Sequence, residues 1–241
     1  DWSNPDVVRE MLDVMLALSD LGIDVLRLDA VPFLWKREGT DCENLPEVHV
    51  LLRTLRAVMA VASPATIFKA EAIVAPDQLT AYLGAGDPAQ HECELAYHNQ
   101  LMVLLWSSLA TGDAQLMSNS LRRVADIPSH ASWITYVRCH DDIGWAITDE
   151  AATTMGWDGF SHRSFLNSFY SGTFPESFAR GAIFQFNPDT GDGRISGSAA
   201  SLCGIERAIE SGDPADLDLA CRRLEVVYAA AASFGGIPLL Y

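Results

Sequence analysis

The chain has 241 residues, 49% of them apolar and 20% charged, enough apolar material for a large core and too much for a disordered segment. Acids number 32 and bases 16, a formal charge of −16 that repels phosphate backbones and anionic lipid, so no nucleic-acid or membrane-surface partner is expected. The uncharged stretch 226–241 is broken by Gly235, Gly236 and Pro238 and falls short of the roughly 20 apolar residues of a membrane span.

Ser3-Asn4-Pro5 supplies a capping side chain followed by Pro at a first helical position. Val7, Met11, Met15 and Leu18 then recur at spacings of three and four, which predicts a helix that Gly22 ends. Ile23 to Asp29 is a short β-rich run. Leu45 to Ala62 has helical periodicity with Pro64 just beyond, and Ala65 to Glu71 predicts a second strand. Pro76 to Leu83 opens another helix, Glu92 to Tyr97 is a short strand, and Asn99 to Ala110 a buried helix. Trp133 to Cys139, β-branched and aromatic, predicts a further strand. Strands alternating with helices of this length indicate βα units and a parallel sheet, hence an α/β fold.

From Ile143 to about Ala208 the pattern breaks into aromatic, Gly, Ser and Asn residues, too long for a plain loop and expected to carry function. Leu217 to Ser233 returns to a helix, and Ile237 to Tyr241 to a strand that simply stops. That ending, and the absence of Met at Asp1, read as a piece of a longer protein. The five cysteines (Cys42, Cys93, Cys139, Cys203, Cys221) are odd in number and contain no CxxC pair. Neither a disulfide framework nor a zinc cage is expected. Free thiols lean towards a reducing compartment and a cytoplasmic location.

Three acids stand where predicted strands end: Asp29, Glu71 and Asp141. Alternate side chains of a strand share a face, so Arg27 and Asp29 point the same way. The guanidinium is expected to keep Asp29 ionised, the state a nucleophile needs. Asp29 and Glu71 are 42 residues apart, one βαβ step, so their strands are expected side by side, about 4.8 Å apart. Carboxyl groups about 5 to 5.5 Å apart suit retaining glycoside chemistry, with Glu71 as an acid/base of raised pKa. Lys69 shares Glu71's predicted face and works against that rise unless it angles away. His140-Asp141-Asp142 follows the Trp133 strand, and a third acid there suits hydrogen bonds from sugar hydroxyls. His140 and Asp141 converge only if the strand ends by Cys139. Any one of these acids alone is more often a helix cap or a surface ion-pair partner; the joint spacing carries the reading.

That joint pattern resembles the α-amylase superfamily. Gly22 to Ala30 is similar to its fourth-strand motif, Phe68 to Ala72 to its fifth-strand motif and Val137 to Asp142 to its seventh-strand motif. Within the superfamily the resemblance is to amylosucrases, through Phe33-Leu34-Trp35-Lys36, Cys42 to Pro46, His140 to Trp145 and the run from Phe178 to Arg194. The resemblance implies a partial (β/α)8 (TIM) barrel from about strand 4 to the start of strand 8, with a long insertion after strand 7. It divides the chain into a barrel portion at 1–142, an acceptor-side insertion at 143–208, and a last helix with the start of strand 8 at 209–241.

The resemblance also implies a retaining glucosyltransferase. Asp29 is its nucleophile, Glu71 its acid/base and Asp141 its stabilising acid, with His140 beside Asp141 and Arg27 orienting Asp29. Phe33 and Glu92 are implied pocket residues, and Arg163, Gln185, Asn187 and Arg194 implied acceptor contacts. Sucrose is the implied donor and an α-1,4-glucan the acceptor, with no metal and no cofactor. Pro32, where the family usually has Ala, and a small insertion at Asp87 to Gln90 depart from the pattern. A sucrose hydrolase or other α-glucosidase of the superfamily with the same triad and, more distantly, a non-catalytic sugar binder are the alternatives. The isolated 241-residue chain, with barrel parts missing, is expected to be inactive.

Overall fold

The computed structural model describes residues 1–84, 91–124 and 126–241 and divides into two compact units, 1–97 with 125–134, and 98–124 with 135–241. The stretch Asp87 to Gln90 lies outside the described residues.

The first unit runs α1 (Pro5–Asp20), β1 (Val25–Leu28), a 3-10 turn (Val31–Phe33), α2 (Pro46–Ala62), β2 (Ile67–Ala70), α3 (Pro76–Leu79) leading into a second 3-10 turn (Thr80–Leu83), β3 (Leu95–Tyr97) and the start of β4 (Ser132–Tyr136). Asn4 caps α1 by accepting the Asp6 N–H. Gly22, at φ +88°, turns the chain out of the helix in a conformation that glycine adopts without strain. The four strands are parallel and in the order β1-β2-β3-β4. Leu26, Phe68 and Ala70 join Met15 of α1 and Leu52, Leu55 and Met59 of α2 in one buried cluster. Burying that layer is the main stabilisation of the unit. The strands are shorter than the β-rich runs suggested. The Glu92 and Glu94 side chains, just before β3, are held in ion pairs, and the Glu94 backbone still bonds Phe68 O and the Ser132 N–H.

The second unit holds α4 (Asn99–Thr111), α5 (Gln115–Leu121), the end of β4, β5 (Ile143–Gly144), α6 (Asp149–Thr153), α7 (Gly159–Tyr170), β6 (Ala182–Phe184), β7 (Arg194–Ser196), α8 (Ala199–Leu202), α9 (Ile205–Ser211), α10 (Pro214–Ser233) and β8 (Ile237–Leu239), which follows β4 in the sheet order. β5, β7 and β6 form a small antiparallel sheet. Tyr170 of α7 packs edge-on against Trp106 of α4 and donates its hydroxyl to the Trp106 carbonyl at 2.5 Å, joining the 143–208 segment to the helix before it. That segment is also more regular than its composition suggested, because Phe165, Phe169, Phe174 and Phe178 pack on one another as a small core. Among the described residues no helix is long and apolar enough to cross a membrane.

Two buried histidines set an acid limit for this unit. The His98 Nδ1 caps α4 by accepting the Leu101 N–H at 3.3 Å, and His162 Nε2 lies 2.9 Å from Ser107 Oγ. Burial pushes both down to about 4. A depressed pKa leaves the unfolded chain holding more protons. The stability it confers is therefore complete above the ordinary histidine value and is lost as pH falls through about 4. Thermal melting between pH 7 and 4 is expected to show this loss, of order 2–3 kcal/mol per histidine. His162→Gln, which cannot charge, should flatten the slope; an unchanged slope counts against the assignment.

Candidate functional site

The ends of β1 and β2 bring together the residues with the strongest chemical content in the first unit. Leu28 pairs with Ala70 in register, so Asp29 and Glu71 are the next residues on the two neighbouring strands. The backbone stays zipped there: the Glu71 N–H donates to Leu28 O at 3.0 Å, and the Val31 N–H to Glu71 O at 3.2 Å. Arg27, one strand step before Asp29, reaches both acids. Its Nη1 is 2.5 Å from Asp29 Oδ1 and its Nη2 is 2.8 Å from Glu71 Oε1. One planar fork thus spans the two carboxyl groups and fixes their separation more tightly than a flexible cation could.

The two acids sit in different surroundings. The Asp29 side chain is 74% exposed and that of Glu71 only 11%. Burial raises the Glu71 pKa, and a hydrogen bond shared with Asp29 adds to the rise; the Ala30 N–H and the Arg27 charge oppose it, with the balance upward. Arg27 is itself pushed up: burial works against its charge, but Glu71 and Asp29 outweigh burial. Lys69 angles away, its Nζ lying over the Tyr97 ring at 4.8 Å. One open acid beside one acid of raised pKa is the division of labour that a nucleophile and a general acid need.

Ala30 was not singled out by sequence. It adopts the left-handed conformation at φ +45°, uncommon for a residue with a Cβ, and there its N–H donates to Glu71 Oε2 at 2.9 Å. No sequence signal marks it, because glycine or asparagine is the usual sign of such a turn. Phe33 stands 40% exposed at the end of the following 3-10 turn, with Lys36 Nζ 5.8 Å from its ring, and Pro32 is buried within that turn. A cavity of about 300 Å³ between α1, β1 and α2 is lined by Met11, Leu18, Leu34 and Leu52, with Arg27 and Asp29 on its wall. Glu92 is placed elsewhere. It is 1% exposed, and its carboxylate meets His49 Nδ1 at 2.9 Å and Arg53 Nη1 at 3.1 Å, both from α2.

In the second unit β4 ends at Tyr136, so the residues that follow are released from strand alternation. His140 and Asp141 do converge, Nε2 lying 3.4 Å from Oδ1. Tyr241 stacks on the His140 ring at 5.2 Å. Arg138 fixes the turn by donating to Asp141 O at 2.6 Å and Gly197 O at 2.8 Å, and Asp142 accepts from Ser196 Oγ at 2.5 Å. Cys139 Sγ is 3.8 Å from Asp141 Oδ2, and the ligating atoms of Cys139, His140 and Asp141 all lie within 4.8 Å of one another. No CxxC spacing marks this cluster, and His140-Asp141-Asp142 alone reads as a turn or a weak divalent site.

Of the implied acceptor contacts, Arg163 is occupied with holding the segment together. It donates to Ile147 O and Thr190 O at 3.0 Å and pairs with Asp149 and Asp192. Asn187 shapes a turn, its N–H donating to Asp192 O and its Oδ1 accepting from the Asp189 N–H. Gln185, left-handed at φ +50°, follows β6 directly, and Arg194 lies exposed on β7 opposite Phe184.

Compared with known proteins, the chain matches no family model. It is 39% identical over 156 residues, 64% of this chain and 26% of the relative, to the trehalose synthase/amylase TreS of Mycolicibacterium smegmatis. It is 35% identical over 144 residues, 59% of this chain and 14% of the relative, to a trehalose synthase of Thermus thermophilus. A glucosylglycerate phosphorylase of Escherichia coli is 29% identical over 144 residues, 60% of this chain and 25% of the relative. The chain spans about a quarter or less of these curated relatives, which are enzymes of the α-amylase superfamily. The similarity does not single out amylosucrase. In fold, the chain is similar to sucrose 6F-phosphate phosphorylase from Thermoanaerobacter thermosaccharolyticum, with a TM-score of 0.67 and 18% identity, over 99% of this chain and 41% of that one.

Proposed function

We propose that the chain is the catalytic portion of a retaining glucosyl-transferring enzyme of the α-amylase superfamily. The observation that carries this is the single Arg27 guanidinium holding Asp29 and Glu71 at the ends of adjacent parallel strands. In this reading β1 to β4 and β8 are consecutive staves of a (β/α)8 barrel, and the pair stands at the C-terminal mouth, where such barrels carry their sites.

Glu71, its pKa raised by burial, gives its proton to the glycosidic oxygen as that bond breaks. The Asp29 carboxylate attacks the anomeric carbon from the opposite side and forms a glucosyl ester. Glu71, now a carboxylate, takes the proton of the acceptor hydroxyl, which displaces Asp29 and restores both groups. Two inversions leave the sugar with its starting configuration. By the resemblance to amylosucrases, Asp141 and His140 are assigned to sugar hydroxyls, Phe33 to the sugar pocket, and Gln185, Asn187 and Arg194 to the acceptor. Arg163 serves by holding the 143–208 segment in shape rather than by touching sugar.

The finer reading is an amylosucrase: sucrose as donor, an α-1,4-glucan as acceptor, fructose released. The similarity to trehalose synthases favours a second reading, in which the released sugar is recaptured and an α-glucosyl disaccharide is isomerised. The full-length protein, incubated separately with sucrose, maltose and trehalose, with and without phosphate, separates them. Glucan from sucrose alone supports the first, and interconversion of maltose and trehalose the second. Equal glucose and fructose points to a hydrolase, and phosphate-dependent release to a phosphorylase. A first-formed product of inverted configuration, or binding without turnover of any α-glucoside, overturns the retaining mechanism.

A further inference from the structure

We propose that Cys139, His140 and Asp141 form a binding site for a borderline-soft divalent cation, Zn²⁺ above all, and that filling it arrests turnover. The three residues are consecutive, and their side chains converge because β4 has already ended at Tyr136. His140 Nε2 is 3.4 Å from Asp141 Oδ1, and Cys139 Sγ is 3.8 Å from Asp141 Oδ2. A tetrahedral zinc ion, with bonds of about 2.0–2.3 Å, separates neighbouring donors by roughly 3.3–3.7 Å. The Asp141 carboxylate already meets the imidazole through one oxygen and the thiol through the other, and the three donors, all within 4.8 Å of one another, need only a small inward shift to enclose the ion.

The donor set narrows the cation. One sulfur, one imidazole nitrogen and one carboxylate oxygen suit Zn²⁺ and Cd²⁺, whereas Mg²⁺ and Ca²⁺ prefer oxygen alone. His140 is exposed and Cys139 and Asp141 half-buried, which gives the ion a path in and leaves a fourth position for water. Arg138 and Ser196 tie down the Asp141 carbonyl and the neighbouring Asp142 carboxylate, so the turn is held by contacts other than the three ligands. On binding, the Cys139 thiol proton is released to solvent and the thiolate takes its place on the ion. Arrest of turnover rests on the function proposed above: Asp141 and His140 cannot hold sugar hydroxyls and a cation at once. Metal binding itself does not rest on that function.

The test uses full-length protein. Cd²⁺ titration followed by thiolate-to-metal absorption, and Zn²⁺ titration by calorimetry, are each expected to report this site. Cys139→Ser should abolish the absorption band and weaken Zn²⁺ at least about tenfold, the lower end of what loss of even an outer partner does at such sites. His140→Gln should weaken Zn²⁺ while keeping the band. Cys42→Ser and Cys221→Ser, which remove thiols elsewhere, should change neither. In the assay Zn²⁺ should inhibit the wild type reversibly with chelator, while Cys139→Ser keeps basal turnover and escapes inhibition. A band or an affinity that survives Cys139→Ser overturns the site. Zn²⁺ bound at full turnover overturns the inhibitory half. If the protein turns over no glucoside at all, the titrations still decide the site on their own.

Discussion

Asp29→Asn in the full-length protein is expected to lower turnover by at least about 10⁴-fold, the scale on which loss of one member of a catalytic unit falls. The substitution keeps the shape of the side chain and a hydrogen-bonding oxygen for Arg27 but removes the negative charge that attacks carbon. Glu71→Gln is expected to fail differently. A glucoside whose leaving group departs as an anion, such as α-glucosyl fluoride, needs no proton from residue 71. Glu71→Gln should therefore still be glucosylated by the fluoride and accumulate the ester, because no carboxylate remains to activate the acceptor. Mass measurement of the intact protein reads this directly. An ester on Asp29→Asn, or none on Glu71→Gln, reverses the roles assigned here.

Arg27 is expected to show the second-largest effect and to act through its neighbours. Arg27→Ala removes the fork that sets the two carboxyl groups, and misplacement of reacting groups by about 1 Å costs on the order of 10²-fold in kcat. It also removes a charge that holds the Glu71 pKa down. With that opposition gone the Glu71 pKa rises further. The alkaline limb of the pH–rate profile, where the acid loses its proton, should move upward. Arg27→Lys separates the two contributions: it keeps the charge and loses the fork, so the limb should stay while kcat falls. A merely structural role for Arg27 predicts lower melting temperatures for both variants and an unmoved limb in each.

The legible part of this site was its strand-end acids. Asp29 and Glu71 could be paired from their spacing because parallel neighbours joined by one helix meet in register, and Leu28 against Ala70 is that register. Arg27 could be assigned to Asp29 because alternate strand residues share a face, but nothing in the spacing said that its second nitrogen reaches Glu71. The Ala30 N–H on Glu71 was invisible, since alanine gives no warning of a left-handed turn. Glu92 illustrates a different blindness. The resemblance implies a pocket residue, yet it turns to α2 because His49 and Arg53, one turn apart on that helix, offer it two partners. Phe165 and Phe169 stand four residues apart, a helical spacing obscured by the Gly, Ser and Asn around them.

What the sequence by itself determined is local and periodic: the alternation of helices and strands, the caps at Asn4 and Gly22, the parallel sheet, and which acids fall at strand ends. These follow from 3.6- and 2-residue spacing, which a single chain displays whatever its partners. What only the tertiary structure decided is pairing: one guanidinium between two acids, a buried carboxylate claimed by a neighbouring helix, and a thiol, an imidazole and a carboxylate within 4.8 Å of one another. Side-chain pairing depends on where turns release the backbone and on which partner lies within a few ångströms after packing, and no periodicity encodes either.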